Sequence, residues 1–267
     1  MNSLIRQFFT SGGGESNFCE VLFLTDGVET SWKDISERAP SLPRGWFELS
    51  RVNSSDRIEF TRDFWLDRLP YQPSTQIDVC DFFERLDDVA VVLLRKKEEE
   101  FLSAELVYSL KDGSTFFRGK VPAVEVDLDE MKNEMGVLLP RDYIAFLHIH
   151  NGFGMLSEMG LLSTQEIPDV RRQVSDFLVR SDRPIKSGSS NVDPGSLIPF
   201  YEIFGLSSYQ CFYSDWYPGA EMGNVYLSGI DYTISDTSDR TAWTENLAFP
   251  TFLEWLSYYL QGMNLAP

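Results

Sequence analysis

The chain has 267 residues and carries 23 Lys+Arg against 41 Asp+Glu, a formal charge of −18. That balance excludes a general basic face of the kind that displaces counterions from nucleic acid, and an anionic membrane would repel it. With 43% hydrophobic and 14% aromatic residues the chain can bury a core and is not a disordered acidic tail.

The first fourteen residues, MNSLIRQFFTSGGG, are too short and too broken for a signal peptide. Ser11-Gly12-Gly13-Gly14 lacks the preceding strand and the lysine-bearing helix of a phosphate cradle, so it reads as a loop. Ser54 or Ser55 is placed to cap a helix running to about Leu69, and Ser74 or Thr75 to cap a second through Val79, Phe82, Phe83 and Leu86. Val89 to Leu94 is a continuous apolar run typical of a buried strand, and it falls short of the roughly 20 residues that cross a bilayer. Lys96 to Glu100 then reads as a solvated turn. Leu102–Leu110 and Ser114–Lys120 flank Lys111-Asp112-Gly113, a hairpin signal. Val121-Pro122-Ala123 separates this block from the next. The sequence therefore predicts an α+β domain over residues 1–122 and a second domain over 123–267.

The second block opens with a helix started by Asp127 or Asp129, with Met131 and Met135 one turn apart and Gly136 beyond its end. Pro140 starts another, to about His150, with Tyr143, Phe146, Leu147 and His150 on one face and Asn151-Gly152 closing it. A polar helix covers about Ile167 to Val179, followed by a Ser/Gly/Asp/Pro-rich loop from Ser181 to Pro194. Short strands follow at Leu197–Phe200, Tyr209–Tyr213 and Val225–Leu227. The last helix carries Phe252, Trp255, Leu256 and Tyr259 at helical spacing, with Pro250 at its start and Gly262 beyond. This order predicts a mainly antiparallel α+β fold.

The combination in residues 124–262 resembles the SUKH superfamily, which includes fungal cell-wall-assembly (glucan synthesis) regulators and bacterial immunity proteins. The matching residues are Gly136, Leu139, Pro140, Asp142, Tyr143, Phe146, Leu147, Asn151 and Gly152. Ile198-Pro199-Phe200, Tyr209 to Tyr213, Gly223 to Tyr226 and Phe252 to Leu256 follow in the family order. Ser228-Gly229-Ile230-Asp231 and the loop Asp215 to Gly219 depart from the family pattern. The resemblance implies a twisted, mainly antiparallel sheet packed by helices. It also implies a non-enzymatic protein-binding module, either an immunity-type protein that neutralises a toxin or a regulatory scaffold. It brings no catalytic residue and no cofactor.

The chemistry-bearing residues support the same expectation. His148 and His150 lie about 200° apart on one helix, too divergent to hold a metal together. His150, on the apolar face near the helix end, is placed to bond an end carbonyl and to gain as a cation from the helix dipole, while His148 reads as exposed. Cys19, Cys80 and Cys211 form no C-x-x-C pair and read as small core fillers in a reducing cytoplasm. Some carboxylate pair could sit at a hydrolase-like separation, which keeps a carboxylate-based hydrolase as an alternative.

The charge is uneven. Residues 1–122 hold 15 Lys+Arg and 21 Asp+Glu, residues 123–267 hold 8 and 20, and after Lys186 the only base is Arg240 against nine acids. There Tyr209, Trp216 and Tyr217 alternate with Asp215, Glu221, Asp231 and Asp236. Such a stretch suits a basic protein partner, a toxin domain among the candidates, with aromatic anchors and acids that steer encounter. A sheet with aromatics inward and acids outward produces the same pattern without a partner.

Overall fold

The structure, a computed structural model, describes residues 3–10, 18–27, 29–113, 115–156, 160–203 and 206–261. The glycine run at residues 12–14, Ser114 and Gly262 lie outside the described residues. The first half contains α1 (Ser3–Thr10), β1 (Phe18–Phe23), α2 (Trp32–Arg38), α3 (Arg44–Leu49), α4 (Ser54–Arg68), α5 (Pro73–Glu84), β2 (Leu86–Lys96), β3 (Ser103–Leu110) and β4 (Phe116–Lys120). The second contains α6 (Glu125–Met135), α7 (Arg141–Leu147), β5 (Phe153–Met155), β6 (Gly160–Leu161), α8 (Glu166–Arg180), β7 (Ile185–Ser187), β8 (Ser190–Val192) and β9 (Leu197–Ile203). It continues with β10 (Ser208–Tyr213), β11 (Asn224–Ser228), β12 (Thr233–Ile234), β13 (Ala248–Phe249) and α9 (Phe252–Leu260).

The fold is α+β, and all the described strands join one sheet. Its order is β1-β2-β3-β4-β5-β6-β9-β10-β11-β12-β7-β8, with β13 on β11. The pairing is antiparallel except between β12 and β7. The ladder passes from the first half to the second where Arg118 of β4 faces Gly154 of β5. The expected division near residue 122 falls in the short segment between β4 and α6.

Period-two alternation splits β2 between two cores. Val89, Val91 and Leu93 join the large cluster, whereas Val92 and Leu94 join a smaller one with Ile5 and Phe9 of α1. Continuous hydrophobicity in this strand thus reflects cover on both faces. The large cluster spans both halves. Trp65 of α4 lies 5.4 Å from Phe146 and 5.5 Å from Phe153 by ring centroids, as well as 5.5 Å from Phe83. Helix α5 packs against α9, where Ser257 Oγ donates to Thr75 Oγ1 at 3.2 Å and Arg85 donates to the Leu260 carbonyl.

Several local expectations are corrected. Asn53, not Ser54 or Ser55, caps α4, accepting from Asp56 N at 3.0 Å. Pro73 starts α5, so Ser74 and Thr75 fall inside its first turn, and Leu86 begins β2 instead of ending the helix. Helix α7 begins after Pro140 and stops at Leu147, short of His150. The Ser/Gly-rich stretch expected as loop folds into the β7–β8 hairpin and a 3-10 turn at Pro194–Ser196. Strands of three residues are too short to carry a periodic signal. The Lys111-Asp112-Gly113 hairpin forms between β3 and β4, with Gly113 at φ +66°. All three cysteines are free, but Cys19 is exposed and only Cys211 is fully buried, so core filling describes one of the three.

Candidate functional site

The acidic aromatic stretch is built on β10, β11 and the segments around them. The excursion from Tyr213 to Gly223 is closed by backbone bonds, Tyr213 N to Gly223 O at 3.0 Å and Gly223 N to Trp216 O at 2.9 Å. Gly223 permits the closure by its missing side chain: a Cβ there would meet Trp216 Cε3 at 2.4 Å. Trp243 meets the Trp216 ring edge-on at 5.3 Å, and its indole N–H donates to Thr237 O at 3.0 Å. Two tryptophans therefore fasten the Asp215 loop to the segment that follows β12.

Between these segments and the β7–β8 hairpin lies a groove of about 440 Å³. Its lining includes Ser187 to Val192 on the hairpin side and Tyr213, Asp215, Trp216 and Asp236 to Ser238 on the other. Asp215 is exposed and Trp216 half-buried. Burial raises the Tyr213 phenol, and the neighbouring Asp215 charge adds to that rise. Asp236 is held below the usual carboxylate range by hydrogen bonds from Ser238, whose backbone N–H lies 2.9 Å from Oδ1.

The groove gathers three of the seven expected partner residues, Asp215, Trp216 and Asp236. Tyr217 is exposed beside them on the same excursion. Tyr209 lines a different, smaller groove of about 210 Å³ with Val174, Phe177 and Leu178 of α8. Burial raises its phenol to about 12 and also raises Glu202, with which it bonds. Glu221 faces α7 and accepts from Arg141 N at 3.2 Å. Asp231 closes a turn, accepting from Ser228 Oγ at 3.0 Å. The sequence reading did not single out the hairpin, Thr237 or Ser238. The usable signal was Gly188 between two short polar-apolar segments.

The family-motif residues occupy the interior. Gly136 ends α6 at φ +64°, in the left-handed conformation that glycine takes without steric cost. Leu139, Pro140, Tyr143, Phe146 and Leu147 are buried, with Tyr143 against Phe200, Phe212 and Phe252 at 5.0–5.7 Å. Asp142 accepts from Leu253 N at 3.1 Å and from Tyr143 N at 2.9 Å, so it caps α9 from α7. Burial pushes its carboxyl above the usual range against those bonds. Asn151 exchanges hydrogen bonds with Thr164 at 2.7 and 2.9 Å, and Gly152 turns the chain into β5.

His150 is fully buried. Tyr108 O–H donates to Nε2 at 2.5 Å, Nδ1–H donates to Lys120 O at 2.8 Å, and Trp65 Nε1–H donates to the Tyr108 oxygen at 3.2 Å. The carbonyl it bonds belongs to β4, not to α7. Burial lowers its pKa to about 4, so at neutral pH the ring is neutral and the expected helix-dipole cation is absent. A Cβ on Gly119 would sit 2.4 Å from this ring, so the strand must carry glycine there. His148 is half-buried, with Nε2 3.8 Å from Glu125.

Burial also raises Glu254, beside Asp142, yet neither residue lines either groove, and both Asp142 oxygens accept backbone N–H groups. These two raised acids do not make the convergent pair that a carboxylate hydrolase needs. Among the described residues no helix is long and apolar enough to cross a membrane.

The sequence model of the SMI1 / KNR4 family (SUKH-1) matches residues 122–258. No curated protein matches the chain.

Proposed function

The chain belongs to the SMI1 / KNR4 family (SUKH-1), and from that premise we propose that it is a non-enzymatic module that binds a basic protein. The observation that carries this reading is the groove whose lining holds Asp215, Asp236 and Trp216, in the base-poor end of the chain. The aromatic wall supplies area to bury, and the carboxylates accelerate encounter with a positive surface. Immunity-type neutralisation of a basic toxin domain is the use that fits this chemistry within the family.

A low-salt pull-down with the full chain tests it. The wild type should retain a basic protein that the Asp215→Lys/Asp236→Lys variant releases, and retention should weaken as salt rises. Undiminished capture by the variant overturns the reading. A regulatory scaffold is the second reading. Phe60 of α4, Tyr71 between α4 and α5, and Ile77 of α5 are large apolar side chains exposed on the first half, 56%, 76% and 63% respectively. In that case capture would survive charge reversal at the groove and depend on these three residues.

A further inference from the structure

The groove beside the β7–β8 hairpin has ample room for a long side chain. Its volume of about 440 Å³ lies near the lower end of the roughly 300–1,000 Å³ typical of small-ligand sites. What enters meets two carboxylates in the lining. Asp236 directs Oδ1 to Ser238 N, and its Oδ2 lies 4.0 Å from an ideal Cβ on Gly188, so that oxygen faces the hairpin turn. Asp215 opens into the same space.

Two bases lie near the groove without entering its lining. Lys186 Nζ donates to Asn191 Oδ1 of the hairpin wall at 2.6 Å, and the Arg240 guanidinium lies over the Trp243 ring at 5.2 Å. Two carboxylates therefore share a groove with Tyr213 and Trp216 and with no basic residue in its lining. Among the described residues, no group of three or more His, Cys, Asp or Glu is placed to hold a metal ion. The cation that suits this lining is organic.

Building on the basic-partner reading, we propose that this groove is a pocket for a single arginine side chain of the partner. A guanidinium is planar, carries five N–H donors and stacks on aromatic rings. Asp215 and Asp236 accept its paired N–H groups, the Tyr213 and Trp216 rings face its plane, and the hairpin serine hydroxyls take the remaining donors. A lysine ammonium offers three donors from a point charge and is more strongly hydrated, so it gives up more on entering.

The probes are three short peptides, acetyl-Gly-Arg-Gly-amide and its lysine and citrulline counterparts, titrated into the full-length protein. The indole N–H signal of Trp216, assigned by Trp216→Phe, reports occupancy by NMR. The arginine peptide should shift it saturably in the millimolar range, the lysine peptide should bind several-fold more weakly, and the uncharged citrulline peptide should not bind. Asp236→Asn should weaken the arginine peptide by roughly tenfold, whereas Asp239→Asn, outside the groove lining, should leave it unchanged. An equal response to citrulline, or no saturable shift with arginine, overturns the pocket. If the arginine peptide fails while reversal of Asp215 and Asp236 still releases the basic partner, the pocket falls and the acidic surface stands. If the peptide binds and the partner ignores the reversal, the groove takes arginine but not the partner's, and the partner pocket falls together with the acidic-surface reading.

Discussion

In the first half of the chain, acids at the sheet are met by arginine. Asp88 of β2 takes two bonds from Arg57 of α4 at 2.6 and 2.9 Å, and Glu105 of β3 takes two from Arg118 of β4 at 2.7 and 2.8 Å. Beyond Lys186, acids are met by backbone N–H groups and hydroxyls: Asp193 by Gly195 N, Asp236 by Ser238 N and Asp239 by Thr241 N, at 2.9–3.0 Å. Among the described residues, the one salt bridge to an acid in that region joins Glu221 to Arg141. A turn hydrogen bond orients a carboxylate but leaves its charge uncompensated. An arginine cancels the charge and fixes two elements together. The same residue type therefore serves the fold in one half and remains available to a partner in the other.

The comparison breaks first at Asp88. Replacing it with alanine leaves the Arg57 guanidinium, only 9% exposed, without its partner, and should cost about 3–5 kcal/mol in urea unfolding. A near-neutral result would mean that the Arg57 pair does not hold the first half together.

His150 sharpens the comparison where the halves meet. Its pKa is lowered to about 4 in the folded protein from an ordinary 6.5. As pH falls through about 6.5 the unfolded chain takes up a proton and the folded protein does not, so this contribution is full near neutrality and is lost toward pH 4. The loss should approach about 3 kcal/mol, because each pKa unit is worth about 1.4 kcal/mol. Urea midpoints between pH 7 and 4.5 should show that slope, and His150→Gln should flatten it. An unchanged slope in the variant would place the titration elsewhere.

The smallest effect is expected at Asp236. Asp236→Ala removes a local turn bond at an exposed site and should change stability by no more than about 0.5 kcal/mol. A loss comparable to that at Asp88 would show that this acid, too, serves the fold.

Much of the second half was legible from local signals. Gly136, the apolar stripe of α7 and the spacing in α9 announce their elements because a helix shows its buried face every three or four residues. The Asp-Gly hairpin between β3 and β4 was legible for a similar reason, since a two-strand turn needs a residue at positive φ. The β7–β8 hairpin was not, and the groove it completes was hidden with it. Nor did the seven acidic and aromatic candidates behave as one surface. Asp215, Trp216 and Asp236 converge, while Tyr209 lies in the α8 groove and Glu221 turns to Arg141.

By itself the sequence determined the α+β class, the family resemblance and the acidic bias of its C-terminal end, because composition and short-range periodicity act within a few residues. Only the tertiary structure decided that His150 is a neutral core residue under Gly119, that Asp142 caps a helix 111 positions away, and that Asp236 and Asp215 line one groove beside a hairpin. Each of these depends on burial or on contact between distant segments. The same carboxylate or imidazole is a different chemical group in water and in a core, and its surroundings come from chain that is remote in sequence.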